Sequence, residues 1–218
     1  MVPTLDEARE LPATLAALSP EVDEIVVADG GSLDATRSLA RAGGARVVEG
    51  ARGRGAQLNL GAREAAGEWL WFVHADTRVP PGSGEAVRAA LAAGALGGAF
   101  EIRFEADGWR YALGGDVASA RSRWFRIFLG DQAPFVARAT FERLRGFAPW
   151  PLFEDLDFCR RLRAQGPLAI LEPAVRTSAR RFAARGPLRA VLENWWLTLL
   201  FLRGVSPERL TRRYLAPR

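Results

Sequence analysis

The run Glu24-Ile25-Val26-Val27-Ala28-Asp29-Gly30-Gly31-Ser32-Leu33-Asp34 reads as a strand, a turn and the start of a helix. Its apolar residues are continuous rather than alternating, as in a strand covered on both faces. A carboxylate closes the strand. The two glycines that follow permit unusual torsions and close approach of a ligand. A helix N-terminus comes next and offers unpaired N–H groups to an anion. Ser32 or Asp34 would cap a helix over 34–42. On the residues alone, an ordinary strand–turn–helix with capping side chains is an equally good reading.

The pattern repeats on either side. Leu11, Leu15 and Leu18 recur at helical spacing. Ala45-Arg46-Val47-Val48 is the next strand, residues 55–66 form a helix closed near Gly67, and Trp69-Leu70-Trp71-Phe72-Val73 is a buried strand that runs into His74-Ala75-Asp76-Thr77. This alternation predicts an α/β fold with a mostly parallel central sheet flanked by helices. In open sheets of this kind, ligands bind outside the carboxyl ends of the strands. The second half is less regular. It offers a strand over 99–105 and a helix over 109–127 that Gly114-Gly115 weakens. A helix over 154–165 has acids in its first turn, arginines near its end and a Gly166-Pro167 stop. A C-terminal helix spans 187–203. No internal repeat, linker or low-complexity segment breaks the chain, so one domain over 1–218 is expected.

Composition narrows the field. The chain has 218 residues and is 49% hydrophobic, enough for a sizeable core. One cysteine, Cys159, excludes an internal disulfide framework and fits a reducing compartment. No charged-then-apolar leader is visible, and no stretch of roughly 18 apolar residues predicts a spanning helix. The expected location is therefore cytoplasmic, with peripheral contact at the inner face of the membrane open. Net charge is +5, and all 30 cations are arginine. Such charge suits phosphorylated ligands or an anionic surface. It is equally a solvated arginine-rich face. Nucleic acid is disfavoured, since zinc-ligand spacing, an RNP signature and a basic heptad arm are all missing.

Several polar blocks can carry chemistry. His74-Ala75-Asp76 ends a buried strand, and Asp76 suits Mg²⁺ or Mn²⁺ together with phosphate oxygens. His74, the one histidine, would favour Mn²⁺, orient a neighbour, or simply end the strand. Gly53-Arg54-Gly55-Ala56-Gln57 opens a helix, and Arg54 could pair with a phosphate in bidentate fashion. Glu154-Asp155 starts the later helix. A base is needed to take a hydroxyl proton, although acids in a first turn also suit the helix dipole. Asp131 of Gly130-Asp131-Gln132 could hold a hydroxyl or sit in a plain turn. Arg180 and Arg181 follow the last expected strand.

The order Pro3-Thr4-Leu5-Asp6-Glu7, Asp29 to Asp34, His74 to Thr77 and Phe153-Glu154-Asp155 resembles that of family 2 glycosyltransferases with a GT-A-type nucleotide-sugar domain, over nearly the whole chain. His74 to Thr77, Gly130 to Gln132 and Thr177 to Arg181 look closest to the small transferases linked to arsenosugar biosynthesis. The resemblance implies a nucleotide-sugar-binding half over 1–105 and an acceptor-binding half over 106–218. It implies donor contacts from Pro3, Thr4, Asp6, Glu7, Asp29, Gly31, Asp34, Arg54 and Gln57. A divalent cation, Mn²⁺ or Mg²⁺, would sit on Asp76 and His74. Asp155 would be the base with Glu154 in support, and Asp131, Gln132, Arg180 and Arg181 would meet a hydroxyl acceptor. The family more often has Asn where this chain has Asp6. It also opens with a hydrophobic strand before the first block, where this chain has only Met1 and Val2. Either the natural start lies upstream or the strand is short.

Two other classes remain open on sequence. A nucleotidyltransferase on a related fold would want a glycine-rich basic loop after the first strand, which Pro3 to Glu7 lacks. A non-catalytic module on a membrane surface would use the C-terminal helix. That helix carries Leu188, Leu192, Trp195, Leu199 and Leu202 on one face and Trp196, Leu197, Leu200 and Phe201 elsewhere. It could pack on the domain, pair two copies or lie on lipid.

Overall fold

In the computed structural model, which describes residues 1–50, 52–180 and 187–215, the first three strands form a parallel sheet in the order β1-β2-β3. They are β1 (Val2–Thr4), β2 (Val26–Asp29) and β3 (Arg46–Glu49). Helices α1 (Leu11–Leu18) and α2 (Thr36–Ala42) make the crossovers. Every residue of β2 is buried, as its unbroken apolar run requires. The register sets Thr4 beside Asp29 and Asp29 beside Glu49, so three strand ends open on one edge.

The first strand is short, yet it is not an edge. Met1 N–H donates to the Trp71 carbonyl at 2.9 Å, and Val73 N–H donates to the Met1 carbonyl at 3.0 Å. These bonds join the first sheet to a second one of five strands, ordered β4-β7-β6-β8-β5. Its members are β4 (Trp69–Trp71), β5 (Thr77–Arg78), β6 (Gly97–Glu105), β7 (Phe135–Ala137) and β8 (Leu168–Ser178). Here the parallel expectation needs refining. β6 and β8 are parallel, whereas β4–β7, β6–β7 and β5–β8 are antiparallel. The sheet is parallel where the chain alternates strand and helix and mixed where that rhythm fails.

Helices α3 (Arg54–Glu64), α4 (Ser83–Ala92), α5 (Trp109–Phe125), α6 (Arg138–Arg143), α7 (Glu154–Arg163), α8 (Pro187–Leu202) and α9 (Pro207–Leu215) complete the described elements. α9 was not expected from sequence. α7 has the ordinary amphipathic form: Leu156, Phe158, Cys159 and Leu162 are buried, while three arginines crowd its last turn. Gly114-Gly115 does not break α5. Gly115 instead lets the helix lie tight on β6, where a Cβ would come 2.9 Å from the Ile102 carbonyl oxygen. Of the apolar residues expected on the C-terminal helix, Leu197 is buried and packs with Phe153, Leu156 and Leu210, whereas Trp196, Leu199 and Leu202 are exposed. The side chains of Leu188, Leu192 and Trp195 lie outside the described residues. No helix among the described residues is long and apolar enough to cross a membrane.

Candidate active site

At the end of β2 the Asp29 carboxylate is fully buried. One oxygen accepts hydrogen bonds from the Thr4 and Ser32 hydroxyls, and the other accepts from the Gly31 and Ser32 N–H groups. Burial opposes ionisation, but these donors outweigh it and hold the carboxyl below its usual range. The turn is then tied to the first loop. Asp6 N–H donates to the Ser32 hydroxyl, Leu33 N–H to the Asp6 carboxylate, Glu7 N–H to the Thr36 hydroxyl and Ala8 N–H to the Asp34 carboxylate. Asp6 adopts φ 54°, a left-handed torsion that Asn and Asp tolerate best among residues with a side chain. Asp34 also accepts from the N–H and hydroxyl of Thr36, and the hydroxyl bond leads in lowering its pKa. Asp34 thus acts two residues before helix α2, close to the capping role expected of it. The polar groups of Pro3 to Glu7 and Asp29 to Asp34 build one interlocked cradle. Its open side is lined by the exposed Gly31 and by Pro3.

From this cradle the edge continues to the end of β4. Arg180, just beyond β8, donates to Glu7 at 3.0 Å and to Asp76 at 3.3 Å. Burial works against its charge, yet the bonds to Glu7 and Asp76 raise its pKa further. One guanidinium thereby joins the first block to the third. Ser178 N–H also donates to the Asp76 carbonyl at 3.1 Å, which fixes the strand end beside Arg180.

The third part of the site forms where α3, α7 and the turn Gly130–Gln132 meet. Gly130 N–H donates to Asp155 Oδ2 at 2.8 Å, and Leu156 N–H donates to Asp155 Oδ1 at 2.7 Å. A Cβ on Gly130 would lie 2.9 Å from His74 Nε2 and 3.2 Å from Asp155 Oδ2. The missing side chain therefore lets the histidine and the carboxylate face the same small volume. Arg54 donates to Glu154 Oε1 and lies 3.7 Å from Asp155 Oδ2. Glu154 is fully buried, and its Oε2 has no partner. Burial raises its pKa against the opposing pull of Arg54. Asp131 resembles it: Oδ1 is buried without a partner, and burial, opposed by Arg121, raises its pKa.

The structure therefore gathers Glu7, His74, Asp76, Arg54, Asp131, Glu154, Asp155 and Arg180 along one edge. Two expected contacts are corrected. Gln57 does not face a ligand. It is buried, both amide hydrogens go to the Thr4 and Ala28 carbonyls at 2.7 and 2.9 Å, and its oxygen takes Gly53 N–H. It braces β1 and β2 against α3. Gln132 is likewise buried. Its amide donates to the Phe100 carbonyl and the Ser122 hydroxyl while its oxygen accepts from Arg121, so it pins the turn to α5 and β6 and does not reach an acceptor. Thr177 and Ser178, the first two residues of the block Thr177 to Arg181, end β8. Arg181 lies outside the described residues. Sequence reading missed Gly55, whose added Cβ would lie 2.7 Å from the Ala148 carbonyl and 3.4 Å from Glu154. The Gly-Arg-Gly spacing was its only signal: the second glycine admits α7 while the arginine reaches the acids.

Solved structures share this architecture. Residues 1–349 of S. aureus TarS superpose with a TM-score of 0.65 at 17% identity over 82% of this chain and 59% of that one. Mannosyltransferase PcManGT of Pyrobaculum calidifontis, solved with GDP-Man and Mn²⁺, gives 0.62 at 25% identity over 81% of this chain and 55% of its own. Glucosyl-3-phosphoglycerate synthase of Mycobacterium tuberculosis, solved with Mn²⁺ and UDP, gives 0.58 at 22% identity, covering 81% of this chain and 68% of that one. TarS has also been solved with UDP-GlcNAc. Among curated proteins, a TPR repeat-containing protein of Synechococcus elongatus is 37% identical over 73 residues, which is 33% of this chain and 18% of the relative. The chain thus spans less than two thirds of TarS and a small part of that curated relative. The model of the family described as glycosyl transferase family 2 matches residues 1–135, more than half of the sequence, and the chain belongs to that family.

Proposed function

We propose that the protein transfers a sugar from a nucleotide-diphosphate donor to a hydroxyl acceptor, with inversion, and that Asp155 is the base. The observation that carries this reading is the meeting of Asp155 and His74 at Gly130, beside Arg54 and on the same edge as Asp76 and Arg180. Two backbone N–H groups fix the rotamer of Asp155, so its carboxylate is aimed before substrate arrives. In the reaction, the acceptor oxygen attacks the anomeric carbon and its proton passes to Asp155. The bond from that carbon to the diphosphate oxygen breaks, and its electron pair leaves with the diphosphate. Arg54 and Arg180 supply positive charge to that leaving group. Asp131, with a buried oxygen short of a partner, is suited to accept a hydrogen bond from the acceptor. The Asp29 turn holds the nucleoside cradle in shape, and Pro3, Thr4 and Gly31 line it.

No group of three or more His, Cys, Asp or Glu among the described residues could hold a metal by itself. Mg²⁺ and Mn²⁺ are commonly held by one or two carboxylates plus substrate phosphates. Asp76 and His74 would hold such a cation, and when bound it would neutralise charge on the departing diphosphate. The finer likeness to transferases linked to arsenosugar biosynthesis belongs to this proposal and rests on His74 to Thr77, Gly130 to Gln132 and Thr177 to Arg181.

The test combines binding and turnover. UDP or GDP with Mn²⁺ should raise the melting temperature of the parent and of Asp155→Asn alike. Turnover of the variant should fall by about 10²- to 10⁴-fold, the usual contribution of a general base. Equal turnover would remove Asp155 from the role. Nucleotide binding by neither protein would overturn the donor assignment.

A further inference from the structure

Phe153 occupies the capping position of helix α7, directly before Glu154 and Asp155. Its backbone is left-handed, with φ 66° and ψ 15°, and its side chain makes no capping hydrogen bond. Capping positions favour Ser, Thr, Asp or Asn in extended torsions. A bulky residue at positive φ is a genuine outlier. Such torsions persist only where the surroundings impose them, and they gather at functional sites.

The surroundings of Phe153 come from the C-terminal helices. Its ring stacks on Phe201 of α8 at 4.9 Å and 24°, and Trp150 meets Phe201 edge-on at 5.8 Å. Phe153, Leu156, Leu197 and Leu210 form one buried apolar cluster, with Ile127 and Leu129 packed against it. This cluster reaches both donors that hold the Asp155 carboxylate. Leu156 is a member, and its N–H binds Oδ1. Leu129 precedes Gly130, whose N–H binds Oδ2. The nature of the capping residue matters as well. A side-chain oxygen there could take the N–H of the third helical residue, which in α7 is Leu156. An aromatic ring cannot, and that N–H goes to Asp155 instead.

We infer that Phe153 is a positioning residue, and that α8 and α9 act through its stack on Phe201 to hold the Asp155 carboxylate in place. This role rests on the reading of Asp155 as the base. Without the stack, Phe153 is free to leave the left-handed region and take the start of α7 with it. The Leu156 N–H then moves, and the carboxylate loses its fixed direction. The donor cradle lies outside this cluster. Its Asp29 carboxylate is held by Thr4, Gly31 and Ser32, so nucleotide binding should survive.

Amide hydrogen exchange of the full chain, followed by NMR, tests the hold without any substrate. Phe201→Ala should speed exchange at Gly130 and Leu156 by roughly tenfold relative to the amides of β2. Phe201→Tyr, which keeps the ring, should stay within about twofold of the parent. Turnover is the second readout, measured as UDP released from UDP-GlcNAc or GDP from GDP-Man with water as acceptor. It should fall by about 10- to 100-fold in Phe201→Ala, while nucleotide with Mn²⁺ still raises the melting temperature as in the parent. If Phe201→Ala fails to fold, Phe153→Gly and Phe153→Ala replace it. Both lose the ring, but glycine accepts the torsion, so the two amides should exchange about fivefold more slowly in the glycine variant. Unchanged exchange at both amides in Phe201→Ala, or equal exchange in the two Phe153 variants, overturns the inference. So does parental turnover in Phe201→Ala where Asp155→Asn has lost it. Faster exchange in Phe201→Ala with parental turnover in Asp155→Asn removes the base assignment and leaves the hold on the carboxylate standing.

Discussion

Asp29 and Glu154 are both fully buried carboxylates on the same edge of the sheet, and their surroundings are opposite. Every acceptor position of Asp29 is filled by Thr4, Gly31 and Ser32, and its pKa is lowered. Glu154 spends one oxygen on Arg54, leaves the other without a partner, and has a raised pKa. Asp131 follows Glu154 in both respects. A buried polar group is normally satisfied, and an exception calls for a reason. The donor-side loop is thus a finished structural unit that presents a shaped surface. The acid cluster around Arg54 is incomplete by itself and suited to take donors from a substrate.

The sharpest way to break this comparison is to remove Asp29. Asp29→Ala strips two backbone N–H groups and two hydroxyls of their acceptor. Bonds to a charged acceptor contribute about 1.5–3 kcal/mol each and do not add fully, so a loss of roughly 3–5 kcal/mol is expected. For a chain of this size that lowers the melting temperature by about 6–20 °C. A drop of a degree or two would mean that the turn does not depend on the carboxylate. Gln57→Ala should cost less, about 2–3 kcal/mol, since it leaves the Thr4 and Ala28 carbonyls and Gly53 N–H without their partner. Chemical denaturation would measure it. A variant of parental stability with weakened nucleotide binding would return Gln57 to the ligand.

The same contrast explains what could be read in the sequence. β2 and the turn after it were legible because a continuous apolar run, an acid and two glycines are local signals with local causes. The meeting of Arg54 with Glu154 and Asp155, and of Arg180 with Asp76, has no local signal, because each pair lies about 100 positions apart or more. Gln57 and Gln132 were misplaced for a related reason. A polar residue near a motif looks the same whether it faces a ligand or a buried carbonyl, and only the partner strand decides. The mixed second sheet escaped notice because β5 has two residues and β4 and β7 three each, too few to show a period. α5 was read as a helix, but its orientation was hidden. Its small residues face inward and its large apolar ones outward, so apolar periodicity points to the wrong face.

The subtlest test concerns Asp131. Its carboxyl has a raised pKa because burial opposes the charge. The native state therefore keeps a proton that the unfolded chain, titrating near its ordinary value of about 3.9, has already lost. Where the native state binds more protons, stability falls as pH rises. Parent stability should accordingly decline from about pH 4 upward until the raised pKa is passed, then level off. Asp131→Asn removes that titration. The variant should gain on the parent across the same window, keep its advantage at neutral pH and lose it below about pH 4. Melting curves of the two proteins from acid to neutral pH would follow the difference. A constant gap would mean that Asp131 is no more reluctant to ionise than a surface acid. The acid cluster would then lose one of the two members that distinguish it from the saturated carboxylate at Asp29.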